Sequence, residues 1–245
     1  MFSISMKRKI IYSTLFFLLS QLNSIAISAP IIKDNKTYGV RIGSTRVIIN
    51  NDRGGSLLVK NEKEYPIILQ AQVFKDDKET KGPFIITPPL LKLDSGIQTR
   101  LRIIPLSHSL HNDRESLYWI CIKSLPPESI SNKKNQSIAY VNINVMTNSC
   151  IKLLERPSSI NVSPRDIIND IDFKINQGKL NIENKSPLFV NIQTLMLNNN
   201  ELKINDRYIK PFANIQINEK IKQGDEVNLT IIDDIGSLIS RKVSL

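Results

Sequence analysis

The sequence predicts an all-β protein built from two immunoglobulin-like β-sandwich domains. Alternating, β-branched segments of about five to ten residues recur along the chain, separated by Asn, Asp, Gly, Pro and Ser. Helical periodicity is hard to find. Many short strands with frequent turn signals are typical of β-sandwiches. With 245 residues, 41% of them apolar, the chain can form two domains of about 100 residues each, which excludes a disordered or fibrous protein.

The first half contains the clearest strand patterns. Residues 65–75 place Ile67, Leu69, Ala71 and Val73 on one face, as expected for a strand with one buried side. Residues 99–104 alternate in the same way. Residues 117–122 are apolar on both faces, which favours a central strand. The single tryptophan, Trp119, is interpreted as core packing.

The second half repeats the pattern after a short connection. Residues 173–176 and 179–183 flank Gln177-Gly178, which predicts a hairpin turn. Residues 156–159 are the best linker candidate. The predicted domains are therefore 30–155 and 160–245. Further strands are predicted at 188–197, 215–218, 227–232 and 238–243.

The start of the chain is typical of a secretory signal peptide. Lys7, Arg8 and Lys9 precede an apolar stretch at 10–22, which is too short and too interrupted for a membrane span. An uncleaved anchor is the alternative. We assign residues 1–28 to the signal, with cleavage somewhere in 26–29, and expect an exported protein. Small residues follow the apolar stretch at Ser24, Ala26, Ser28 and Ala29.

The net charge is +10, and it falls to +7 without the three basic residues of the signal. A basic exported chain suits a membrane surface, an acidic partner or simply a solvated surface. The sequence has no run of five Lys or Arg and no aromatic stacking series. We therefore predict no nucleic-acid partner.

The two cysteines, Cys121 and Cys150, are expected to pair in an oxidising compartment. A bond closing a loop of about 30 residues would stabilise the fold by roughly 3–4 kcal/mol. A redox role is disfavoured because no Cys-x-x-Cys pair exists. We find no nucleophile–base pair, no metal-ligand set and no phosphate-binding Gly-x4-Gly-Lys loop. The sequence thus predicts neither an enzyme nor a cofactor nor a metal.

One strand does not suit a self-contained domain. Residues 137–146 follow a polar loop at 128–136 and place Ala139, Val141, Ile143 and Val145 on one face. From periodicity alone that face is either core or an exposed edge offered to another chain. An exposed apolar edge invites aggregation unless a partner covers it.

The segment LHNDRESLYWI at 110–120 resembles the signature of the periplasmic chaperones of the chaperone–usher pathway. Further segments agree in the same order, so that the resemblance spans nearly the whole chain after the signal. The motif usually has a proline where this chain has His111. The other matching segments are 38–40 with 43–46, 84–90, 125–127, 150–154 with 156–157, and 233–236.

This resemblance implies a fold and a function. The fold would be two immunoglobulin-like sandwiches set at an angle with a cleft between them. The protein would bind a fimbrial or fibrillar subunit in the periplasm, block premature polymerisation and deliver the subunit to an outer-membrane usher. Strand donation by such chaperones to pilins is an established mode of strand addition. Val141, Ile143 and Val145 would fill the groove of the subunit, with Ala139 as a shallower contact.

The resemblance also implies an anchor for the C-terminal carboxylate of the subunit. The matching residues are Arg46 and Lys152. A planar guanidinium and a point-charge ammonium suit a carboxylate well. Without the family, two ordinary exposed bases on strands would be the simpler interpretation.

Two structural elements follow from the same resemblance. Glu115, Arg156 and Asp234 would form a salt-bridge triad between the domains, with Asp234 preferred over Asp233. A Cys121–Cys150 disulfide would place the chain in the subfamily that serves thin or atypical fibres.

Two other classes of protein stay open at this stage. A secreted two-domain binding protein or adhesin would not need Arg46 and Lys152 together. A secreted hydrolase or redox enzyme would need catalytic groups that we do not find. Self-association of the free protein, to cover its apolar donor strand, is a further expectation from the resemblance.

Overall fold

The computed structural model describes residues 32–50, 53–106, 111–127, 140–163 and 165–245. Within these ranges the regular elements are β-strands, apart from one short 3-10 helix at Asp166–Asp170. The all-β prediction is confirmed. None of the helical structure in this described part is long and apolar enough to cross a membrane.

Contacts divide the chain into a small unit and a large unit. Among the described residues, 32–36 and 140–144 belong to the small unit, and all the others belong to the large unit. In the small unit, the described residues belong to strands β1 (Ile32–Tyr38) and β10 (Tyr140–Met146), which pair with each other. The predicted signal peptide and Ala139 lie outside the described residues.

The first sandwich, which belongs to the large unit, has two sheets. In the five-stranded sheet, β3 and β11 are parallel and the other neighbours are antiparallel. Its spatial order is β3 (Arg46–Asn50), β11 (Asn148–Arg156), β9 (Ser116–Leu125), β5 (Ile67–Phe74) and β7 (Leu90–Leu93). The antiparallel four-stranded sheet has the order β2 (Arg41–Ile42), β4 (Gly55–Lys60), β8 (Gln98–Pro105) and β6 (Phe84–Thr87).

The core of this sandwich is built by the predicted alternation. Along β5, Ile67, Leu69, Ala71 and Val73 are buried, and the intervening glutamines point away from the core. Strand β9 lies between β11 and β5 and is buried along most of its length. This central position explains why the strand is apolar on both faces.

The second sandwich is also part of the large unit. Its hairpin at Gln177-Gly178 has φ angles of 51° and 72°, the left-handed values that a two-residue type I′ turn requires. One sheet contains β12 (Ile171–Asn176), β13 (Lys179–Asn184) and β17 (Ala213–Lys220). The other contains β15 (Asn200–Glu201), β14 (Val190–Leu197), β18 (Glu226–Ile232) and β19 (Leu238–Ser244), with β16 (Tyr208–Ile209) paired to β14.

A third, smaller apolar cluster joins the two sandwiches. Its buried members are Leu117 and Leu154 from the first sandwich and Phe189 from the second. Trp119 and Tyr208 pack against it and are only partly buried. Trp119, interpreted from the sequence as core packing, thus packs against the cluster between the sandwiches and is not fully buried. Its place on β9 turns the indole toward the second sandwich instead.

Candidate functional site

Arg46 and Lys152 are neighbours because β3 and β11 run parallel. The register of this pairing sets Lys152 directly beside Arg46. Both side chains are half-buried, and they lie at the edge of the first sandwich that faces the second. We call Arg46 and Lys152 the basic pair.

The second sandwich holds the Lys152 ammonium with neutral groups. Nζ donates a hydrogen bond to Oδ1 of Asn191 at 2.7 Å and lies 4.3 Å from the centre of the Tyr208 ring. Burial, and after it the charge of Arg46, lower the pKa of Lys152 to about 8 against the attraction of Asp206 and Asp76. The ammonium is therefore partly dehydrated, and no carboxylate is within hydrogen-bond distance of it in the described part of the chain.

The Arg46 guanidinium also reaches across to the second sandwich. Its Nη1 donates to the backbone carbonyl of Ile232 at 3.3 Å. Burial lowers the pKa of Arg46, and the charges of Asp234, Asp233 and Glu115 act in the opposite direction. A guanidinium keeps its charge at every physiological pH, so the shift leaves Arg46 a cation.

Lys152 opens into a cavity between the two sandwiches, which we call the basic cavity after Lys152, although acidic and basic side chains line it in equal number. Its volume is about 450 Å³. A terminal carboxylate entering here could accept charge-assisted hydrogen bonds from Lys152, which would be stronger than bonds between neutral groups. The lining residues are Asp76, Asp77, Lys78, Trp119, Lys152, Asn205, Asp206, Arg207 and Tyr208.

The Trp119 side chain forms part of this cavity. The Lys78 ammonium lies 4.0 Å from the centre of the indole ring, a cation–π contact. The pairing of β9 with β11 sets Trp119 opposite Lys152. The indole is thus a wall of the basic cavity as well as an apolar contact between the sandwiches.

Glu115, Arg156 and Asp234 meet in one network, which we call the ion-pair triad. Nε of Arg156 donates to Glu115 at 2.7 Å, and its two terminal nitrogens donate to both oxygens of Asp234 at 2.8 and 3.1 Å. The second oxygen of Glu115 accepts from the backbone N–H of Phe189 at 2.7 Å. Glu115 is 2% exposed, and burial raises its pKa although Arg156 opposes the shift.

Asp233, the neighbour of Asp234, has a different task. Its Oδ1 accepts hydrogen bonds from the backbone N–H groups of Ile235 and Ser237, closing the turn between β18 and β19. This turn presents Asp234 to Arg156. The two aspartates therefore act as a turn cap and a salt-bridge partner respectively.

Strand β10 carries an exposed apolar row, which we call the donor row. The side chains of Val141, Ile143 and Val145 are 43%, 52% and 49% exposed. These positions are two residues apart, so they share one face of the strand. Of the two interpretations of this face, the structure does not place these three side chains in a core.

Cys121 and Cys150 form a disulfide. They are directly opposite each other in the register of β9 and β11, and the bond crosses that ladder two residues from Lys152. It covalently joins β11, which carries Lys152 of the basic pair, to β9 at the centre of the sheet.

Sequence reasoning missed several residues of the site. Asn191 and Tyr208 hold Lys152, and Asp76 pairs with Lys210 at the cavity. Of these residues, only Asn191 could have been found from the sequence, because a polar residue between Val190 and Ile192 in an apolar strand needs a hydrogen-bond partner. The other three residues lie far from Lys152 in sequence and carry no local pattern.

The fold and the site together define a two-sandwich, immunoglobulin-like protein with a basic cavity between its sandwiches. The family described as the pili and flagellar-assembly chaperone, PapD N-terminal domain, matches residues 39–161. The pili assembly chaperone PapD, C-terminal domain, matches residues 166–242. The chain belongs to the PapD family of pilus assembly chaperones.

Individual relatives agree with this assignment. The chaperone protein SefB of Salmonella enteritidis is 41% identical over 218 residues, covering 88% of this chain and 87% of SefB. The crystal structure of the Escherichia coli chaperone DraB is similar with a TM-score of 0.76 and 30% identity, covering 87% of this chain and all of DraB. The SafB chaperone of Salmonella enterica, in complex with the SafA pilin, is similar with a TM-score of 0.77 and 30% identity, covering 87% of this chain and 99% of that one.

Proposed function

We propose that this protein is a periplasmic chaperone for a fimbrial or fibrillar subunit. It stabilises the subunit by donor-strand complementation, blocks premature polymerisation and delivers the subunit to an outer-membrane usher. The observation that carries the proposal is the basic pair, two cations adjacent in the register of β3 and β11 that both reach the second sandwich, with Lys152 also lining the cavity. Family membership and the chaperone–pilin complex of SafB support the same role.

The anchor step uses the basic pair. A subunit ends in a carboxylate, whose two oxygens can accept from the fork of Arg46 and from the ammonium of Lys152. Partial burial strengthens this attraction, because the effective dielectric constant is lower there than in water. Each subunit has a single C-terminus, so binding of its carboxylate would fix the register in which β10 pairs with the subunit.

The strand step uses the donor row. A subunit that lacks one strand of its own sandwich exposes an apolar groove and two unpaired strand edges. Backbone groups of β10 would pair with those edges, and Val141, Ile143 and Val145 would enter the groove. Ala139, which precedes the described part of β10, would be a shallower contact.

The ion-pair triad, the domain division and the disulfide would have structural roles in this function. The ion-pair triad would hold the two sandwiches in one arrangement, with domains at 30–155 and 160–245 preceded by a cleaved signal. The family matches, which end at 161 and begin at 166, support that division. The Cys121–Cys150 disulfide supports membership of the subfamily that serves thin or atypical fibres.

The test of the anchor is an affinity pull-down from the periplasm of the native host. A small exported β-rich subunit should co-purify with the wild-type protein and disappear with Lys152→Met, which keeps the length of the side chain and removes the charge. Lys174→Met is the matched control, because Lys174 is an exposed base paired to Glu183 at 2.8 Å in the second sandwich. Equal recovery with Lys152→Met and Lys174→Met would contradict the anchor role.

The same pull-down tests the donor row. Ile143→Asn should weaken binding by about 30-fold, because losing the burial of one isoleucine costs about 2 kcal/mol. Ile104→Asn is the control, since Ile104 is 43% exposed on the outer face of β8. If both variants recover the subunit equally, the donor-row assignment fails.

Two partners follow from this role. Self-association of the free chaperone would cover the donor row, so sedimentation equilibrium should find oligomers of the wild type that Ile143→Asn reduces. The usher should appear in a cross-linked membrane fraction only when a subunit is bound. An identical monomeric profile for both proteins would argue against self-association, and usher cross-linking without subunit would argue against delivery.

A further inference from the structure

Two carboxylates of this chain lie at the basic cavity itself. Asp76 comes from the turn after β5 in the first sandwich, and Asp206 precedes β16 in the second. Both act electrostatically on Lys152 and favour its charged form. The chain thus places its own anions next to the cation that is proposed to capture a carboxylate.

An internal carboxylate would be a strong competitor. It is the same chemical group as a chain terminus, and a short tether gives it an effective concentration in the millimolar range. A direct bond from Asp76 to Lys152 would therefore occupy the anchor before any subunit arrives. The structure has to prevent this bond if Lys152 is to stay open.

Asp76 is held by two other groups. Its Oδ2 accepts from Nζ of Lys210 at 2.6 Å, and its Oδ1 accepts from the hydroxyl of Tyr208 at 3.3 Å. Both oxygens are thereby occupied on the side of the second sandwich. The ring of the same tyrosine lies next to the Lys152 ammonium, which donates to the neutral amide of Asn191.

We propose that Lys210 and Tyr208 are positioning residues that hold the Asp76 carboxylate away from Lys152 and so keep the anchor open to a carboxylate from outside. This inference rests on the proposed anchor role of Lys152. The side chains of Lys210 and Asp76 are 57% and 42% exposed, and an ion pair this exposed adds little to folding stability. The effect of this ion pair is instead to determine which carboxylate can bind Lys152.

The test measures the pKa of Lys152 in the full-length protein by the 13Cε NMR signal of its side chain, assigned with Lys152→Arg. In Lys210→Met the released Asp76 carboxylate pairs with Lys152, and the pKa rises from about 8 by about one unit or more. Lys174→Met is the control, since Lys174 has the same 57% exposure and a similar ion pair. Tyr208→Phe keeps the ring and loses the hydroxyl, so it should give a smaller rise.

A double-mutant cycle identifies the carboxylate responsible. Asp76→Asn should lower the pKa of Lys152 much more in the Lys210→Met background than in the wild type. Asp206→Asn should lower it equally in both, because no described residue holds Asp206 in an ion pair. An unchanged pKa in Lys210→Met, an equal rise in Lys174→Met, or a rise that Asp76→Asn does not reverse would each overturn the inference.

Titration with N-acetylglycine, a free terminal carboxylate on an amide, separates this inference from the proposed function. Lys210→Met should bind it about tenfold more weakly than the wild type, the change that one pKa unit represents, and Asp76→Asn should restore binding. N-acetylglycinamide, which has no carboxylate, should not bind. Measurable and equal binding by wild type and Lys210→Met overturns the inference. An intact cycle of pKa values with no binding to the wild type overturns the anchor role instead.

Discussion

Lys152 and Arg156 lie on one face of β11, one at the basic cavity and the other in the ion-pair triad. Arg156 meets two carboxylates, and every nitrogen of its guanidinium is engaged. Lys152 meets an amide oxygen and an aromatic ring. The charge of Arg156 is thus neutralised by bonded carboxylates, whereas the charge of Lys152 has no bonded counter-ion among the described residues, as the proposed anchor role requires.

The two pKa shifts record this difference. Burial acts to lower the pKa of both cations. For Arg156 the bonds to Asp234 and Glu115 outweigh burial and raise the pKa. For Lys152 burial prevails, and the pKa falls to about 8. Keeping Lys152 charged therefore costs the fold free energy, which a bound carboxylate would offset in the proposed role.

The largest effect should come from breaking the triad. Arg156→Met leaves the Glu115 carboxylate buried with only the N–H of Phe189, so we expect a loss of about 3–5 kcal/mol in the free energy of unfolding, measured with urea. Arg165→Met is the control, because Arg165 is 65% exposed and 3.5 Å from Asp233. It should cost less than about 1 kcal/mol.

The pH dependence of this loss checks its cause. Without Arg156 the folded-state pKa of Glu115 rises further above its unfolded value, so the penalty exists only where the carboxylate must ionise. The deficit of Arg156→Met should shrink as the pH falls toward about 4.5. A deficit that is constant from neutral to acid pH would point to lost packing instead.

A smaller effect should follow from titrating the open charge. Carboxylate binding favours the charged form of Lys152, so affinity should be flat below about pH 7 and fall above pH 8 by up to about tenfold per pH unit. The pKa of Tyr208 is raised to about 12 by burial and nearby carboxylates, so its hydroxyl stays protonated in this range. Subunit retention across the pH series measures the effect.

Lys152→Arg sharpens that test, because a guanidinium does not titrate below pH 12. Its retention of subunit should be independent of pH, whatever its level at neutral pH. A wild-type profile that stays flat to about pH 9.5 would show that Lys152 keeps its proton and that its environment is more polar than the structure indicates.

The smallest effect should be that of Lys152→Met on the free chaperone. The variant removes a cation that burial disfavours, which offsets the hydrogen bond that Asn191 loses. We expect a change of less than about 1 kcal/mol in the free energy of unfolding, beside the complete loss of subunit recovery. A loss as large as that of Arg156→Met would remove the distinction between the two charges.

The strands were predictable because local alternation specifies them. The expected strand at 65–75 is β5 (Ile67–Phe74), and the expected hairpin around Gln177-Gly178 joins β12 to β13. Strands β3 and β4 were not predicted from pattern. Both are short, and their position depends on pairing with β11 and β8, which lie far away in sequence.

The site was predictable only in part, for the same physical reason. The resemblance suggested Arg46 and Lys152, and the parallel pairing of β3 with β11 is what makes them neighbours. No periodicity encodes such a crossover. The link from Asp76 to Lys210 and the turn of Trp119 toward the second sandwich depend on how the two sandwiches pack, and only the three-dimensional structure contains that information.

The Cys121–Cys150 disulfide has a mechanical consequence. In the proposed role, handing a subunit onward would pull on β10, and such a pull would act next on β11, which begins at Asn148. Unzipping of β11 from β9 stops at residue 150, because a covalent bond joins the two strands there. Lys152 lies just behind that stop. The disulfide would thus allow the first residues of β11 to separate from β9 while Lys152 keeps its position in the sheet.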